Sequence, residues 1–287
     1  MFTYLKNQFI SLTSDSRFSE ILTGAAWALS ARVCSVCFGL IASIIIARVY
    51  GAEIMGVVAI LNSFLMLATI FTVLGTSTSI LRLIPEHLVK YSAASAFSLY
   101  RKIQYLVIGV SATTGVLIFL GAEFIAKEIF SKPQLSYYFS LAAVFIIFKS
   151  IMLLNQQAVR GLSLIRIFAL MQVLPQGLNF LLLVLLGVFC SSKNVPVYAF
   201  IGGFSLTGIA GWFFMEYAFK KIVQPEEITY TMNIREILSI SFPMLMTATM
   251  AFVIGQSGVI MLGVFKSESD VGYYAIAVKI ATLTAFI

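Results

Sequence analysis

The chain has 287 residues, of which 60% are hydrophobic and 11% charged, and its formal net charge at pH 7 is +7. With a mean hydropathy of +0.99, this composition excludes a soluble enzyme or a nucleic-acid-binding domain and indicates an integral membrane protein. Segments of alternating polarity, typical of membrane barrels, are absent from the sequence. We therefore expect helical spans, because a helix satisfies its own backbone hydrogen bonds in lipid.

Seven apolar segments have roughly the 20-residue length that a membrane-spanning helix needs, and an eighth is shorter. In chain order they are Leu22–Ala47, Ile54–Leu74, Ile103–Ile125, Tyr137–Leu154, Ile167–Phe189, Val197–Phe219, Ile237–Phe265 and Gly272–Ile287. The longest polar connections, Leu83–Lys102 and Lys220–Glu236, are too short to fold as catalytic domains. The pattern predicts an all-α polytopic membrane protein that is not an enzyme.

The chain contains an internal repeat at a constant offset of 216 residues (272 minus 56). The aligned pairs are Ile21 with Ile237, Leu22 with Leu238, Gly56 with Gly272, Ala59 with Ala275 and Ile60 with Ile276. Internal repeats are typical of secondary transporters, whose binding sites lie between the repeats. We predict a six-helix lobe over residues 1–221 and the start of a second lobe over 222–287. Because the second copy stops inside an apolar helix, we expect the chain to be truncated at its C-terminus.

Lysine and arginine residues in the loops predict the orientation, because cytoplasmic loops of membrane proteins are enriched in them. With the N-terminus inside, eleven of the 19 cations lie in cytoplasmic segments and three within spans. The remaining five lie in outer turns and are Arg48, Lys127, Lys132, Lys193 and Lys266. We therefore expect a cytoplasmic N-terminus.

The three cations within spans are Arg32, Lys149 and Lys279, and no Asp or Glu lies at the centre of a span. Charges inside a membrane are unfavourable and usually face a polar cavity. Basic residues without acidic partners predict a cavity for an anion. The alternative is that a long side chain reaches the membrane surface, which suits Lys149 near the predicted end of its span.

A polar stripe accompanies these charges. Gln172, Gln176 and Asn179 are spaced i, i+4 and i+7 in the fifth span and so share one helix face. They are candidates for the cavity wall, although interhelical hydrogen bonding would explain them equally well. Asn62 and Gln256 are isolated polar residues, which we interpret as packing contacts. A small-residue seam in the first span predicts close helix packing, and it consists of Ala31, Ser35, Gly39 and Ser43.

The histidine and cysteine residues do not predict a metal, redox or cofactor site. His87, the single histidine, has no partner at metal-site spacing. Cys34 and Cys37 form a C-x-x-C pattern, but they lie in an apolar helix, where thiolates are disfavoured.

Several segments resemble the N-terminal part of oligosaccharide flippases, the O-antigen and polysaccharide exporters of the multidrug/oligosaccharidyl-lipid/polysaccharide superfamily. They are G-A-A-W-A-L-S-A-R-V at 24–33, I-I-A-R-V-Y-G-A-E-I-M-G at 45–56, L-G-T-S-T-S-I-L-R-L-I-P-E at 74–86, A-V-R-G-L at 158–162 and G-Y-Y-A-I-A-V-K at 272–279. The resemblance implies a transporter of twelve or more helices in two lobes, of an inverted-V type, with a central cationic cavity. About eight of those helices would be present here.

The resemblance also implies a substrate, a location and partners. The substrate would be an oligosaccharide repeat unit on undecaprenyl pyrophosphate, moved across the bacterial inner membrane for O-antigen, lipopolysaccharide or other surface polysaccharide. Arg32 and Lys279 match positions where the superfamily uses cations. The partners would be membrane lipid, a polysaccharide polymerase and the chain-length machinery.

Two other functions fit the composition. A multidrug or cation antiporter of the same superfamily would need a carboxylate in the first two spans, and neither span has one. A non-transporting component of polysaccharide assembly fits a truncated chain. A membrane glycosyltransferase or polymerase is disfavoured, since it would need an acidic or histidine catalytic group and a sizeable loop.

Overall fold

A computed structural model describes residues 16–190, 192–223 and 230–283 of the chain. These residues form nine α-helices and no strand, which confirms the predicted all-α fold. The helices are α1 (Ser16–Ile45), α2 (Gly51–Val73), α3 (Thr76–Lys90), α4 (Ala93–Phe124), α5 (Leu135–Gly161), α6 (Ile165–Phe189), α7 (Val195–Ile222), α8 (Ile234–Phe265) and α9 (Glu268–Leu283). Six helical segments of these ranges are long and apolar enough to cross a membrane, with α1 and α2 counted together.

Each predicted span lies on one of these helices and exceeds the described end of that helix by no more than about two residues, apart from residues 284–287. Most helices extend beyond the predicted span. Residues 284–287 of the last predicted span lie outside the described part of the chain. The predicted lobe boundary at 221–222 coincides with the end of α7. The connection that follows it includes 224–229, which is also outside the described residues.

Two glycines mark the ends of α2. The chain leaves α1 through a π-helical turn and enters α2 at Gly51, whose φ of 91° favours a residue without a Cβ. It leaves α2 at Gly75, whose φ is 73°. We call the two ends of the bundle the Gly51 end and the Gly75 end. Because the connections are short, successive helices other than α3 return the chain from one end to the other.

The predicted loop Leu83–Lys102 is wrong, because α3 occupies its first part and α4 begins at Ala93. The α3 helix is amphipathic, and it buries Ile80 and Ile84 while Arg82 and Lys90 stay exposed. A search for long apolar runs misses such a helix, since only one face is apolar. The hydroxyls of Ser79 in α3 and Ser241 in α8 are 2.7 Å apart, so α3 fastens the Gly75 end of α8.

The core of the bundle lies between α2, α4, α5 and α7. Its buried side chains include Leu65, Ile118, Phe139, Ile146 and Phe204. Helix α6 packs between α1 and α7, whereas α8 and α9 pack mainly against α2. The α2 helix therefore connects α8 and α9 to the other helices of the bundle. The space beside α2 is bordered by helices from both groups.

Helices α2 and α9 cross with their backbones in direct contact. A Cβ atom added at Gly56 would overlap the carbonyl group of Glu268, and one added at Gly272 would overlap the carbonyl group of Ala52. Gly56 and Gly272 are the aligned pair of the internal repeat, and residues 52 and 268 share the same offset of 216. The contact is thus symmetric between the repeats, and it is the small-residue packing typical of membrane helices.

At the Gly51 end, Lys132 links the connection between α4 and α5 to the connection between α8 and α9. Lys132, which is 9% exposed, donates hydrogen bonds to the carbonyl oxygens of Gly263 at 2.9 Å and Lys266 at 2.6 Å. Its Nζ also lies 4.0 Å from the carboxylate of Glu268, which accepts a hydrogen bond from Gln134 at 2.8 Å. The last carbonyls of a helix have no partner within it, and the ammonium supplies one at the end of α8.

We predict that Gly56→Ala lowers the free energy of unfolding by about 1–3 kcal/mol, because the added Cβ meets backbone that cannot move aside. Thermal unfolding in detergent measures this as a lower midpoint. Gly109→Ala is the matched control, since no atom lies within 4 Å of its added Cβ. Equal midpoints for the two variants would contradict the crossing.

We predict that Lys132→Met lowers the free energy of unfolding by about 1.5–3 kcal/mol, the contribution typical of hydrogen bonds to a charged group. Lys127→Met is the control, because Lys127 is exposed and pairs with Glu123 on the same helical surface. The midpoint of unfolding should fall for Lys132→Met and change little for the control. A similar small change in both would show that the Lys132 contacts do not hold the Gly51 end together.

Candidate functional site

A polar cavity lies beside α2, bordered by α1, α6, α7, α8 and α9, with a volume of about 180 Å³. We call it the central cavity. Its apolar wall includes Met55, Val58 and Val259. Its polar side chains are Ser43, Asn62, Ser63, Gln176, Asn179, Gln256, Tyr274 and Lys279. None of the described lining residues is Asp or Glu, so the one ionic group in the wall is the lysine.

Lys279 reaches the cavity from α9 and donates a hydrogen bond to the hydroxyl of Ser43 on α1. The Ser43 hydroxyl in turn donates to the carbonyl oxygen of Gly39 at 2.7 Å. These two residues belong to the small-residue seam of α1, and the seam faces α6. A Cβ added at Gly39 would lie 3.5 Å from Oε1 of Gln176. The seam therefore both packs α1 on α6 and leaves room for the polar stripe of α6.

A second cavity of about 180 Å³ adjoins the first, and we call it the side cavity. Gly39, Gln176 and Lys279 border both cavities. The side cavity continues past Ser35 and Thr282, which lie nearer the Gly75 end. Lys279 thus stands where the two cavities meet, within reach of a ligand in either.

Lys149 approaches the central cavity from α5. Its Nζ donates to Oδ1 of Asn62 at 3.3 Å and lies 5.5 Å and 5.6 Å from the ring centroids of Phe200 and Phe204. Lys149 lies in the middle of α5, which extends to Gly161. Lys149 itself does not line the cavity.

Ser63 and Gln256 connect α2 to α8 across the cavity wall, with Oγ of Ser63 donating to Oε1 of Gln256 at 2.9 Å. From sequence alone, Asn62 and Gln256 are isolated packing residues, and Ser63 and Tyr274 are not candidates for the site. The aligned repeat could have identified Tyr274 and the residues after it, because Gly56 and Gly272 bring the following turns of α2 and α9 side by side.

The six predicted site residues do not all meet. Lys279, Gln176 and Asn179 line the central cavity, whereas Lys149 contacts it through Asn62. Gln172 borders neither cavity, and its buried Oε1, like Oδ1 of Asn179, has no hydrogen-bond partner among the described residues. Arg32 is exposed on α1, eleven residues before Ser43, and borders neither cavity, so its role stays a prediction.

The electrostatics of the cavity differ from those of the rest of the bundle. At the Gly75 end Arg101 pairs with Glu216 at 2.5 Å, and at the Gly51 end Lys127 pairs with Glu123. Lys279 instead contacts a neutral hydroxyl. Within the described ranges, no group of three or more His, Cys, Asp or Glu residues could hold a metal ion. The arrangement suits an oxygen-rich ligand that carries negative charge.

Comparisons with known proteins address the family and the fold. Residues 21–286 match the family model described as polysaccharide biosynthesis protein. No curated protein matches the chain. A solved structure named protein A superposes with a TM-score of 0.61 at 16% sequence identity, which shows a shared fold. The match covers 92% of this chain and 60% of protein A. Since the family model covers nearly every residue, the chain belongs to the polysaccharide biosynthesis protein family.

Proposed function

We propose that the protein moves undecaprenyl-pyrophosphate-linked oligosaccharide repeat units across the bacterial inner membrane, for O-antigen or another surface polysaccharide. The observation that carries this proposal is Lys279, a cation in the wall of a polar cavity between helices that contacts no carboxylate of the described residues. An intramembrane charge is retained where a polar cavity or a ligand uses it. The family of the chain supports a role in polysaccharide synthesis or export.

The cavity offers separate groups for the parts of such a substrate. The pyrophosphate is anionic, and the Lys279 ammonium acts on it as a point charge with three donors. The carboxamides of Gln176, Asn179 and Gln256 can donate to and accept from sugar hydroxyls, as can the Tyr274 hydroxyl. The prenyl chain stays in lipid, so the cavity has to accommodate only the polar head. Transport of this kind makes and breaks no covalent bond.

The cavity wall supports a flippase over a multidrug or cation antiporter. An antiporter needs a membrane-embedded carboxylate that binds a proton, sodium or a cationic drug. The described wall has lysine and neutral polar side chains in that place. A cationic ligand would be repelled by Lys279, whereas an anionic one would be attracted.

We predict that Lys279→Met reduces export of surface polysaccharide at least about tenfold while leaving the membrane level of the protein near that of the parent. A charged hydrogen bond to the pyrophosphate contributes about 1.5–3 kcal/mol, and about 1.4 kcal/mol corresponds to a factor of ten. Lys279→Arg should retain part of the export, because the charge remains. Export and membrane abundance are measured in the same strains, which lack their own flippase.

Ser43→Ala is the matched control for Lys279→Met, because it removes the hydrogen bond between these side chains and keeps the cation. If Lys279 binds substrate, Ser43→Ala should export far more than Lys279→Met. If Lys279 only fastens α9 to α1, the two variants should lose export equally, and that result would remove Lys279 from the site.

We further propose that the N-terminus and the Gly75 end are cytoplasmic. A cysteine at Lys127 should then react with an impermeant maleimide added from the periplasm, whereas one at Lys221 should not. Both positions are exposed, unlike Lys132. The exposed native cysteines Cys34, Cys37 and Cys190 are first replaced by serine. Labelling of the cysteine at Lys221 and not of the one at Lys127 would show that the Gly75 end faces the periplasm.

A further inference from the structure

Lys149 contacts the central cavity through another residue. Its Nζ lies 3.3 Å from Oδ1 of Asn62, and Asn62 forms part of the cavity wall. Lys149 is half-buried and is not itself a wall residue. Among the described residues, the hydrogen-bond route from this cation to the cavity runs through the Asn62 carboxamide.

The chemistry of the two side chains fixes the orientation of that carboxamide. A lysine ammonium has three donors and no acceptor, so the group that faces it must be the amide oxygen of Asn62. The amide NH₂ group carries two hydrogens, and one of them meets the thioether sulfur of Met66, which lies outside the cavity wall, at 4.0 Å. Thioether sulfur is a weak acceptor, so the NH₂ group keeps its capacity to donate to a ligand.

Two aromatic rings hold the ammonium in this place. The faces of Phe200 and Phe204 lie 5.5 Å and 5.6 Å from Nζ, within the distance of about 6 Å at which a ring attracts a cation. Phe200 is also a wall residue of the cavity. The cation is thus fixed between α2 and α7, one side chain away from the ligand space.

We propose that Lys149 is a positioning residue that turns the NH₂ group of Asn62 toward the central cavity, where it donates to a phosphoryl oxygen of the lipid pyrophosphate. This inference rests on the proposed function. The charge of Lys149 polarises the carboxamide and strengthens its donor end. The pyrophosphate is then bound on one side by the Lys279 ammonium and on the other by the Asn62 amide.

A double-mutant cycle on the purified protein in detergent tests the proposal, with farnesyl pyrophosphate as the ligand. Lys149→Met and Asn62→Ala should each weaken its affinity about tenfold, as expected for one polar contact to a charged group. The double variant should bind no more weakly than Asn62→Ala alone, since Lys149 has nothing left to act on. Lys149→Met combined with Lys279→Met should instead lose affinity multiplicatively.

Two conservative variants separate positioning from general stability. Asn62→Asp keeps an oxygen that faces Lys149, so its midpoint of thermal unfolding should equal or exceed that of the parent. Because it has no NH₂ group, its affinity for farnesyl pyrophosphate should fall at least as much as that of Asn62→Ala. Lys149→Arg should retain most of the affinity, because arginine, like lysine, has hydrogen-bond donors and no acceptor. Farnesol, which lacks the phosphates, should bind the parent and Lys149→Met equally.

The outcomes distinguish the inference from the proposed function. If the parent binds farnesyl pyrophosphate and the losses of Lys149→Met and Asn62→Ala multiply to about a hundredfold, Lys149 contacts the ligand itself and the inference is overturned. An equal loss of farnesol and farnesyl pyrophosphate in Lys149→Met would also overturn it. If the parent binds farnesyl pyrophosphate no better than farnesol, the proposed function fails and the inference with it.

Discussion

The backbone contact between α2 and α9 is the constraint that positions the rest of the site. Membrane helices gain no hydrophobic energy by leaving lipid for each other, so they associate where small residues let backbones approach. Gly56 and Gly272 meet this condition reciprocally. Asn62 lies six residues beyond the first glycine and Lys279 seven beyond the second. At 1.5 Å per residue, both stand roughly 10 Å from the crossing, and both line one cavity.

Three lysines, Lys132, Lys149 and Lys279, have partners of different charge. Lys132 at the Gly51 end has two carbonyl oxygens and a carboxylate near it, so its charge is largely compensated by groups of the protein itself. Lys279 contacts a hydroxyl, and Lys149 contacts an amide oxygen and two ring faces. Neutral partners orient these cations without cancelling their charge.

Sequence periodicity predicted the helices and Lys279, because long apolar runs and an isolated charge within them are local signals. It could not assign Asn62, Ser63 and Gln256, since each is a lone polar residue whose meaning depends on a neighbour from another helix. Lys149 was predicted as a candidate, but its mid-helix position and its contact with Asn62 required the tertiary structure. Gly56 and Gly272, which are aligned in the repeat, are also the point where α2 and α9 touch. The alignment of two glycines at this offset was therefore a signal of the helix contact as well as of the repeat.

The symmetric crossing also sets a timing problem for synthesis. The two glycines are 216 residues apart, and ribosomes add about 5–20 residues per second, so roughly 10–40 s pass between their appearances. During this interval the bare backbone strip of α2 around Gly56 has no α9 to cover it. Other small-residue helices of the same chain, above all α1 with its seam, are present throughout. In the finished fold the seam of α1 is packed against α6, which precedes α9 in the chain.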